Sequence, residues 1–262
     1  MRPITRTAMM IPILALAVAC ATAKTTATGT QPSPSTSPSP AGLPTFGPGA
    51  TYHPVIVPAN FAADVTNPWF PLKPGSRWLY TGTKDNKKAK DVVTVPNATT
   101  TIAGVPCRLV KDALYLNGKL EERTTDYYSQ DLQGNVWYFG EDTASLDASG
   151  KVVDTEGSWK TGVGGAEPGV FMQADPQLNV LFRQEWYAGH AEDQFSAIDL
   201  SATITVPFGS YSDALRTKET NKLEPTVVDN KVYAKGIGEV LEVQVKGPPP
   251  IEKLVLVSYT SG

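Results

Sequence analysis

Short segments of β type, separated by turns, fill the chain from Ser76 to its end and place the strongest constraint on its fold. The segments are rich in β-branched and aromatic residues, and Pro, Gly and Asn separate them, which is typical of strands joined by turns. After Cys20, no stretch sustains a helical periodicity. These patterns predict a mostly β domain with a meandering antiparallel sheet. The predicted strands are 76–83, 92–95, 99–102, 107–116, 151–154, 180–187, 202–206, 214–219, 227–233, 239–245 and 253–259.

Two hairpins stand out among these segments. Asn117-Gly118 is a strong hairpin signal, because both residues tolerate a positive φ. The stretch from Asp126 to Asp142, DYYSQDLQGNVWYFGED, is predicted to form the central hairpin of the sheet, with a Gly-containing turn.

Three other stretches are predicted to be irregular. The Pro-rich segment 53–75 is expected to lie extended over the body, with Trp69, Phe70 and Leu72 as anchors. The Gly-rich segment 156–179 is predicted to be a long irregular loop that covers one opening of the sheet. PFGSYSD, at 207–213, is a candidate for one helical turn.

The first residues predict an exported protein. Arg2 and Arg6 give a basic start, and residues 8–19 form an apolar run that ends directly before Cys20. As a helix this run spans about 18 Å, against about 30 Å of bilayer hydrocarbon. It is too short to cross a membrane and suits a signal peptide over residues 1–19.

The sequence around Cys20, LAVAC, resembles the lipobox of bacterial lipoproteins, with Ala17 where the motif usually has Leu. The resemblance implies that Cys20 is acylated, with palmitate as one such chain, and becomes the mature N-terminus. A lipid anchor would then hold the protein to the outside of a cell membrane, or at the cell surface, without a spanning segment. Cleavage of an ordinary secretory signal nearby is the alternative.

Composition divides the rest of the chain. Residues 20–50 are rich in Ser, Thr, Pro and Gly and are predicted to be a disordered tether, because they cannot bury enough apolar surface to offset their ordering entropy. Residues 51–262 are predicted to be one β-rich globular domain. Without residues 1–19 the chain keeps 21 Lys and Arg against 26 Asp and Glu. No basic stripe is present, which argues against a nucleic-acid partner.

Several pieces of the sequence resemble an uncharacterised family of bacterial secreted lipoproteins. The similarity runs from about Asn67 to Val245 and is carried by NPWFPLKPGSRWLY, DYYSQDLQGNVWYFGED, RQEWYAGHAED, VPFGSYSDALRTKE and KVYAKGIGEVLEV. The later part is similar to half-barrel envelope proteins, including lipoprotein carriers. The resemblance implies a strongly curved sheet, a half-barrel, around an apolar groove; it supplies no catalytic residues.

Metal and nucleophile chemistry find little support in the sequence. His190 lies near Glu185, Glu192 and Asp193, but no second His or Cys stands at ligand spacing, so we predict no metal and no cofactor. Cys107 is the only thiol after Cys20, so no disulfide is expected, and its apolar surroundings predict a small buried hydrophobe. No catalytic residue is assigned.

Acidic and aromatic residues in the central hairpin and in EWYAGH form the candidate ligand site. Strand alternation places Asp126, Tyr128 and Tyr138 in one set and Trp137 with Glu141 in another, and the two sets compete as the ligand-facing side. Packing of the aromatic residues in the core is the alternative for each one. The candidate ligand-binding residues are Asp126, Tyr128, Trp137, Tyr138, Glu141, Glu185, Tyr187 and His190.

Two functions fit this pattern. The first is non-enzymatic: binding of a small or lipid-like ligand, or of an envelope partner, on the concave face of the sheet. The second is hydrolysis of a surface polysaccharide or ester by paired carboxylates, which for glycosides must lie about 5–10 Å apart.

Overall fold

The structure, a computed structural model, describes residues 52–262, which form one antiparallel sheet of 17 strands. Within these residues the only helical element is a 3-10 turn at Pro58–Asn60. The strands are β1 (Phe61–Ala62), β2 (Arg77–Lys84), β3 (Lys87–Thr94), β4 (Thr99–Ile102), β5 (Val105–Leu116), β6 (Lys119–Asp131), β7 (Val136–Leu146), β8 (Val152–Asp154), β9 (Trp159–Lys160), β10 (Glu167–Met172), β11 (Leu181–Arg183), β12 (Glu185–Trp186), β13 (Asp193–Val206), β14 (Gly209–Asn221), β15 (Val228–Ala234), β16 (Gly238–Lys246) and β17 (Lys253–Thr260).

The sheet curls until it nearly closes on itself. The last strand, β17, pairs with β2, so that Leu256 lies opposite Tyr80. At the other side, β10 lies between β7 and β12, and the amide of Gln184 donates to the carbonyl of Asp193 at the start of β13. The prediction of a mostly β, single curved antiparallel sheet is confirmed, and the curvature continues beyond a half-barrel. Within residues 52–262 no helix is both long and apolar enough to span a bilayer.

The two predicted hairpins are present. Asn117 and Gly118 join β5 to β6 with φ values of 51° and 83°. The central hairpin is β6 and β7, and its turn is held by Asp131, whose Oδ1 accepts from the amide of Asn135 at 2.9 Å. Both turns follow from local side-chain chemistry.

The predicted loop 156–179 is wrong in its central part, because it contains β9 and β10. We call the nearly closed sheet the ring. β10 completes it next to β7, although the sequence of β10, EPGVFM, includes Pro168 and Gly169. A Cβ at Gly169 would lie 2.1 Å from the carbonyl carbon of Gln184, so only glycine permits this close approach of β10 and β12. The helical turn predicted at 207–213 is also wrong, because β14 begins at Gly209.

Hydrophobic residues pack on both faces of the sheet. Tyr128 and Tyr138 belong to the cluster inside the ring. Tyr127, Trp137 and Phe139 belong to a second cluster on the outside, where the ring of Phe61 from the entry segment meets Trp137 and Phe139 edge-on. The outer face is therefore covered by the chain's own N-terminal segment.

Two of the predicted anchors of that segment, Trp69 and Leu72, are buried at 6% and 2% exposure. Phe70 is partly buried and its ring lies 4.6 Å from that of Phe171. Cys107 is fully buried in the outer cluster, as expected. The predicted signal peptide (1–19), Cys20 and the tether (20–50) lie outside the described residues.

Candidate functional site: a carboxyl-lined cavity inside the sheet

The inside of the ring encloses a cavity of about 260 Å³. Its wall is unusual because nine carboxyl side chains reach it and only one lysine, Lys231, accompanies them. The carboxyl groups come from β3, β5, β6, β7, β12, β13, β14 and β16, because alternate residues of each strand face inward. They are Asp91, Asp112, Asp126, Glu141, Glu185, Asp193, Glu219, Glu239 and Glu242.

A β-bulge brings two of these carboxyl groups together. Asp126 on β6 lies opposite Glu141 on β7, and the next paired residues are Tyr128 and Tyr138. β7 therefore holds one residue more than β6 in this interval, and the extra residue is accommodated at Gly140, with a φ of 136°. The bulge turns Glu141 to the same side as Tyr138.

This geometry corrects the two competing sets of the sequence analysis. Strict alternation placed Glu141 with Trp137 on one face, and that grouping is wrong. Trp137 points to the outer cluster, where its Nε1 donates to Asp131 Oδ2 at 2.9 Å. Asp126, Tyr128, Tyr138 and Glu141 all line the cavity.

The pair Asp126 and Glu141 is poised to hold protons. Burial raises the pKa of Asp126 to about 7, although the hydroxyl of Tyr138, which donates to its Oδ1 at 2.7 Å, opposes the rise. Burial, followed by the charge of Asp126, raises the pKa of Glu141 to about 9. At neutral pH Glu141 is therefore protonated and Asp126 is close to half-ionised.

Two further carboxyl pairs lie on the same wall. Glu185 hydrogen-bonds Asp193, and burial followed by the charge of Asp193 raises the pKa of Glu185 well above its usual range. Asp112 hydrogen-bonds Asp91, and burial is again the largest cause of its raised pKa. A hydrogen bond between two carboxyl groups requires one shared proton, so each pair titrates as a unit. Glu185 also accepts from Trp159 Nε1 at 2.8 Å.

Lys231 on β15 is the cation of the cavity wall. Its Nζ lies 3.3 Å from Glu219 Oε2 and 3.9 Å from Glu239 Oε2. Burial alone would lower the pKa of Lys231, but the carboxylates of Glu219, Glu242 and Glu239 together raise it well above its usual value. Lys231 thus stays charged and engages part of the acidic wall only.

Aromatic rings form the other side of the cavity. The rings of Tyr128 and Tyr138 are stacked with centroids 4.7 Å apart. Phe171 meets Tyr128 edge-on at 4.9 Å and lies beside Phe70. The arrangement presents π faces and edges next to carboxyl groups, a combination that suits a ligand with both apolar and positively charged parts.

Five of the eight residues predicted from sequence line this one cavity: Asp126, Tyr128, Tyr138, Glu141 and Glu185. Trp137, Tyr187 and His190 do not. The ring of His190 stacks on Tyr187 at 4.3 Å, and its Nδ1 lies 3.5 Å from Glu156 at the surface. Among the described His, Cys, Asp and Glu residues, no group of three is arranged to hold a metal ion.

The sequence gives no indication of most of the remaining polar wall: Asp91, Asp112, Glu219, Lys231, Glu239 and Glu242. Glu239 and Glu242 share β16, and each of the others is the only one of the six in its strand. None belongs to a recognisable motif. The only signal was a single charged residue on the inward face of an otherwise β-type segment, such as Asp91 between Ala89 and Val93.

No protein-family model matches the sequence, and no curated protein matches it either. Among solved structures, a protein from Bacteroides fragilis NCTC 9343, described as exported and as having a YmcC-like fold, is similar with 14% identity, a TM-score of 0.42, and coverage of 74% of this chain and 99% of that chain. A protein from Parabacteroides distasonis ATCC 8503, described as a lipoprotein, shows 10% identity, a TM-score of 0.39, and coverage of 73% and 98%. The first is described as an exported protein and the second as a lipoprotein, and similarity at this level carries no argument about this chain.

Proposed function

We propose that this chain is an extracytoplasmic lipoprotein, anchored to a membrane through Cys20, which binds a small polar molecule inside its curved sheet. The observation that supports the ligand-binding role best is the cavity of about 260 Å³ with nine carboxyl groups on its wall. The proposed anchor is supported by the lipobox-like sequence that ends in Cys20.

The cost of burying these carboxyl groups supports a functional role. A buried carboxyl that lacks a full set of partners destabilises a fold, and a core of apolar residues would be more stable. Glu185 is 5% exposed and Glu219 is 9% exposed, yet both are acidic. Groups with strongly shifted pKa values in a cavity are typical of sites that meet a ligand.

The size and polarity of the cavity favour a small polar ligand over a lipid. Pockets for drug-sized ligands typically span about 300–1,000 Å³ and are mostly apolar. A cavity of about 260 Å³ is smaller than these, and an acyl chain inside it would lie against carboxyl groups. The lipid-like ligand of the sequence analysis therefore fits this site less well than a compact polar molecule.

Hydrolysis is a second candidate, favoured by one observation. Asp126 and Glu141 face each other across β6 and β7 with unequal pKa values of about 7 and about 9. Two carboxyl groups of different pKa are what a general acid and its ionised partner require. Hydrolysis would be established by release of nitrophenol from nitrophenyl esters or glycosides that is lost in Asp126→Asn and Glu141→Gln. The activity should be kept in Asp213→Asn, which changes an exposed residue of β14.

The binding proposal is tested by filling the cavity. Val93 lines the cavity, whereas its neighbour Val92 faces the opposite side of β3. The full chain, purified from its native membranes in mild detergent, is extracted and the extract analysed by mass spectrometry. We expect a small molecule at about one equivalent in the wild type and in Val92→Phe, and its loss in Val93→Phe.

Equal amounts of the compound in Val93→Phe and Val92→Phe would place it outside the cavity and contradict the proposal. A folded wild type that carries no compound, and that binds none from a library of cations, anions, polyols and sugars, would contradict it as well. Capture of an envelope protein that depends on neither valine would favour the other predicted role, docking to a partner.

A further inference from the structure

We propose that the ligand of the interior cavity is a small organic cation that carries at least one ammonium group. This inference rests on the proposed binding function and adds the chemical class of the ligand. Three features of the wall carry it: its charge imbalance, one carboxylate oxygen without a donor, and the aromatic rings beside it.

The charge imbalance of the wall disfavours anions and favours cations. Nine carboxyl groups face the cavity and Lys231 is the only basic side chain among its lining residues. Lys231 is already engaged with Glu219 and Glu239 on its own side of the ring. Within residues 52–262, Asp126 on β6 and Glu141 on β7 form no ion pair with a Lys or Arg side chain. An ammonium group of a ligand would supply the missing cation.

Asp91 gives the second, independent observation. Asp91 is 8% exposed and lines the cavity, and its Oδ1 is fully buried without an N–H donor. Its side-chain partner is another acid, Asp112, with which it shares one proton. A buried acceptor that lacks a donor loses the hydrogen bond that water gave it in the unfolded chain, which destabilises the fold. A donor delivered by a ligand removes this cost, and an ammonium group brings three N–H donors and no acceptor.

The aromatic rings favour an organic cation over a bare metal ion. Tyr128, Tyr138 and Phe171 form one side of the cavity, and rings of this kind attract ammonium groups through their negative faces while packing against methylene groups. The volume of about 260 Å³ corresponds to about nine water molecules, so a linear diamine, with N–H donors at both ends, fits.

Binding of a cation must displace protons from the wall. Burial raises the pKa of Asp126 to about 7 and that of Glu141 to about 9. Near neutral pH Glu141 therefore carries a proton, and Asp126 carries one in about half of the molecules. A cation stabilises their ionised forms and lowers both pKa values. The charged and titratable groups that face them around the ring are Tyr80, Asp91, Asp112, Tyr128, Tyr138, Glu185, Asp193, Glu219, Lys231, Glu239 and Glu242.

The experiment compares three molecules of equal chain length by titration calorimetry: putrescine, its uncharged analogue butanediol, and the dianion succinate. Spermidine tests a longer cation, tetramethylammonium tests a cation without N–H donors, and glucose tests a neutral sugar. We expect putrescine or spermidine to bind to the full chain, and the uncharged and anionic compounds and tetramethylammonium to bind at least about tenfold more weakly. The affinity for the cation should rise by at least about tenfold from about pH 6 to about pH 8, because fewer protons remain to be displaced.

Variants and proton counting exclude binding at the surface. Asp126→Asn and Glu141→Gln should each lower the affinity for the cation by about tenfold. Asp213→Asn, which changes an exposed residue of β14, should leave the affinity unchanged. Calorimetric titrations in two buffers of different ionisation enthalpy give the number of protons released per cation bound. This number should be lower for Glu141→Gln than for the wild type. A merely structural role of Glu141 would lower stability without changing the proton count.

The outcomes separate this inference from the binding function itself. If butanediol, succinate or glucose binds as tightly as the cations and Val93→Phe abolishes that binding, the ligand class is wrong and the cavity function stands. If the cations bind equally to wild type and Val93→Phe, they bind elsewhere and the inference is overturned. If none of the compounds binds to the folded wild type, the ligand class is rejected, and the co-purification experiment decides on the cavity separately.

Discussion

Burial of Glu141 ties the stability of the protein to pH at the scale of a single residue. Its carboxyl group faces a cavity that it shares with Asp126, and burial raises its pKa to about 9 from an ordinary value of 4.5. Between about pH 4.5 and about pH 9, the folded protein therefore keeps a proton on Glu141 that the unfolded chain has already lost. Stability conferred by this proton is complete below about pH 4.5 and is lost as the pH rises towards about 9.

Substitution of Glu141 by Gln should flatten this dependence. In the unliganded wild type we expect the free energy of unfolding to fall by about 1 kcal/mol per pH unit through this group between about pH 5 and about pH 9. Glu141→Gln removes the titrating group, so its slope should be smaller. Urea unfolding at about pH 5, about pH 7 and about pH 9 measures both slopes.

Asp213→Asn is the matched control, because Asp213 is an exposed carboxylate on β14. The free energy of unfolding of Asp213→Asn should fall with pH at the same slope as that of the wild type. Parallel curves for wild type and Glu141→Gln would show that Glu141 is ionised in the fold and would contradict its protonated state.

The same residues show what the sequence reveals about a site and what it hides. Asp126 and Glu141 were identified because acids and aromatics crowd into one hairpin. Asp91, Glu219 and Lys231 were not, because each stands alone in its strand and meets the others only when the ring closes. A charged residue on an inward face can be recognised only when that face is known to be inside.

At the scale of the secondary-structure element, the bulge in β7 decides which residues share the cavity. Gly140 has a φ of 136°, and a Cβ there would lie 2.3 Å from the carbonyl oxygen of Trp159 in β9. Glycine is therefore needed for two reasons, the backbone conformation and the close approach of β9. The period-two alternation used for the sequence prediction fails at this one residue, which is why Glu141 was assigned to the wrong face.

Gly140→Ala should disrupt this element. We expect a loss of about 2–4 kcal/mol of unfolding free energy, because the added methyl group meets backbone atoms that cannot move aside locally. Gly150→Ala is the matched control, since Gly150 has a φ of 83° and open space where its Cβ would lie. Only the conformational cost of about 1 kcal/mol is expected there.

Chemical denaturation of both variants measures the difference. Equal losses for Gly140→Ala and Gly150→Ala would show that β9 does not pack on the bulge. The ligand affinity gives a second readout, because a displaced bulge would also rotate Glu141 away from Asp126.

Strand β10 shows the limit of pattern reading at this scale. Its Pro168 and Gly169 are residues that normally argue against a strand, and the surrounding segment is rich in glycine. Gly169 is present because β10 packs closely on Gln184. This contact is distant in sequence, so a rule based on local composition assigns the segment to a loop. Hairpins such as Asn117-Gly118 were predictable because their cause is local.

At the scale of the whole molecule, closure of the sheet creates the cavity. β2 and β17 stand at the two ends of the sheet's sequence and pair through Tyr80 and Leu256. Sequence patterning predicted the individual strands and the antiparallel sheet, but the pairing of its first and last long strands has no local signature. Without that pairing the carboxyl groups of β3 and β16 would not face each other.

The proposed lipid anchor at Cys20 also concerns the whole molecule, because it would hold the domain that contains the cavity at a membrane surface. Cys20 is separated from the first described residue, Tyr52, by the stretch 21–51, which is rich in Ser, Thr and Pro. A chain of that composition can hold a domain at a distance from the bilayer without contributing to its fold. Anchoring and ligand binding should therefore be separable by mutation.

Cys20→Ala should release the protein from membranes and leave ligand binding unchanged, because one acylated residue supplies the attachment. Cell fractionation and incorporation of an alkyne-labelled palmitate measure the anchor, and calorimetry measures binding. Cys107→Ala is the matched control: Cys107 is the only other thiol and is buried in the outer cluster, so this variant should stay labelled and membrane-bound. If Cys20→Ala remains in the membrane fraction as fully as the wild type, the protein is held there by its folded surface or by an uncleaved signal segment, and the lipid anchor is refuted while the cavity function stands on its own test.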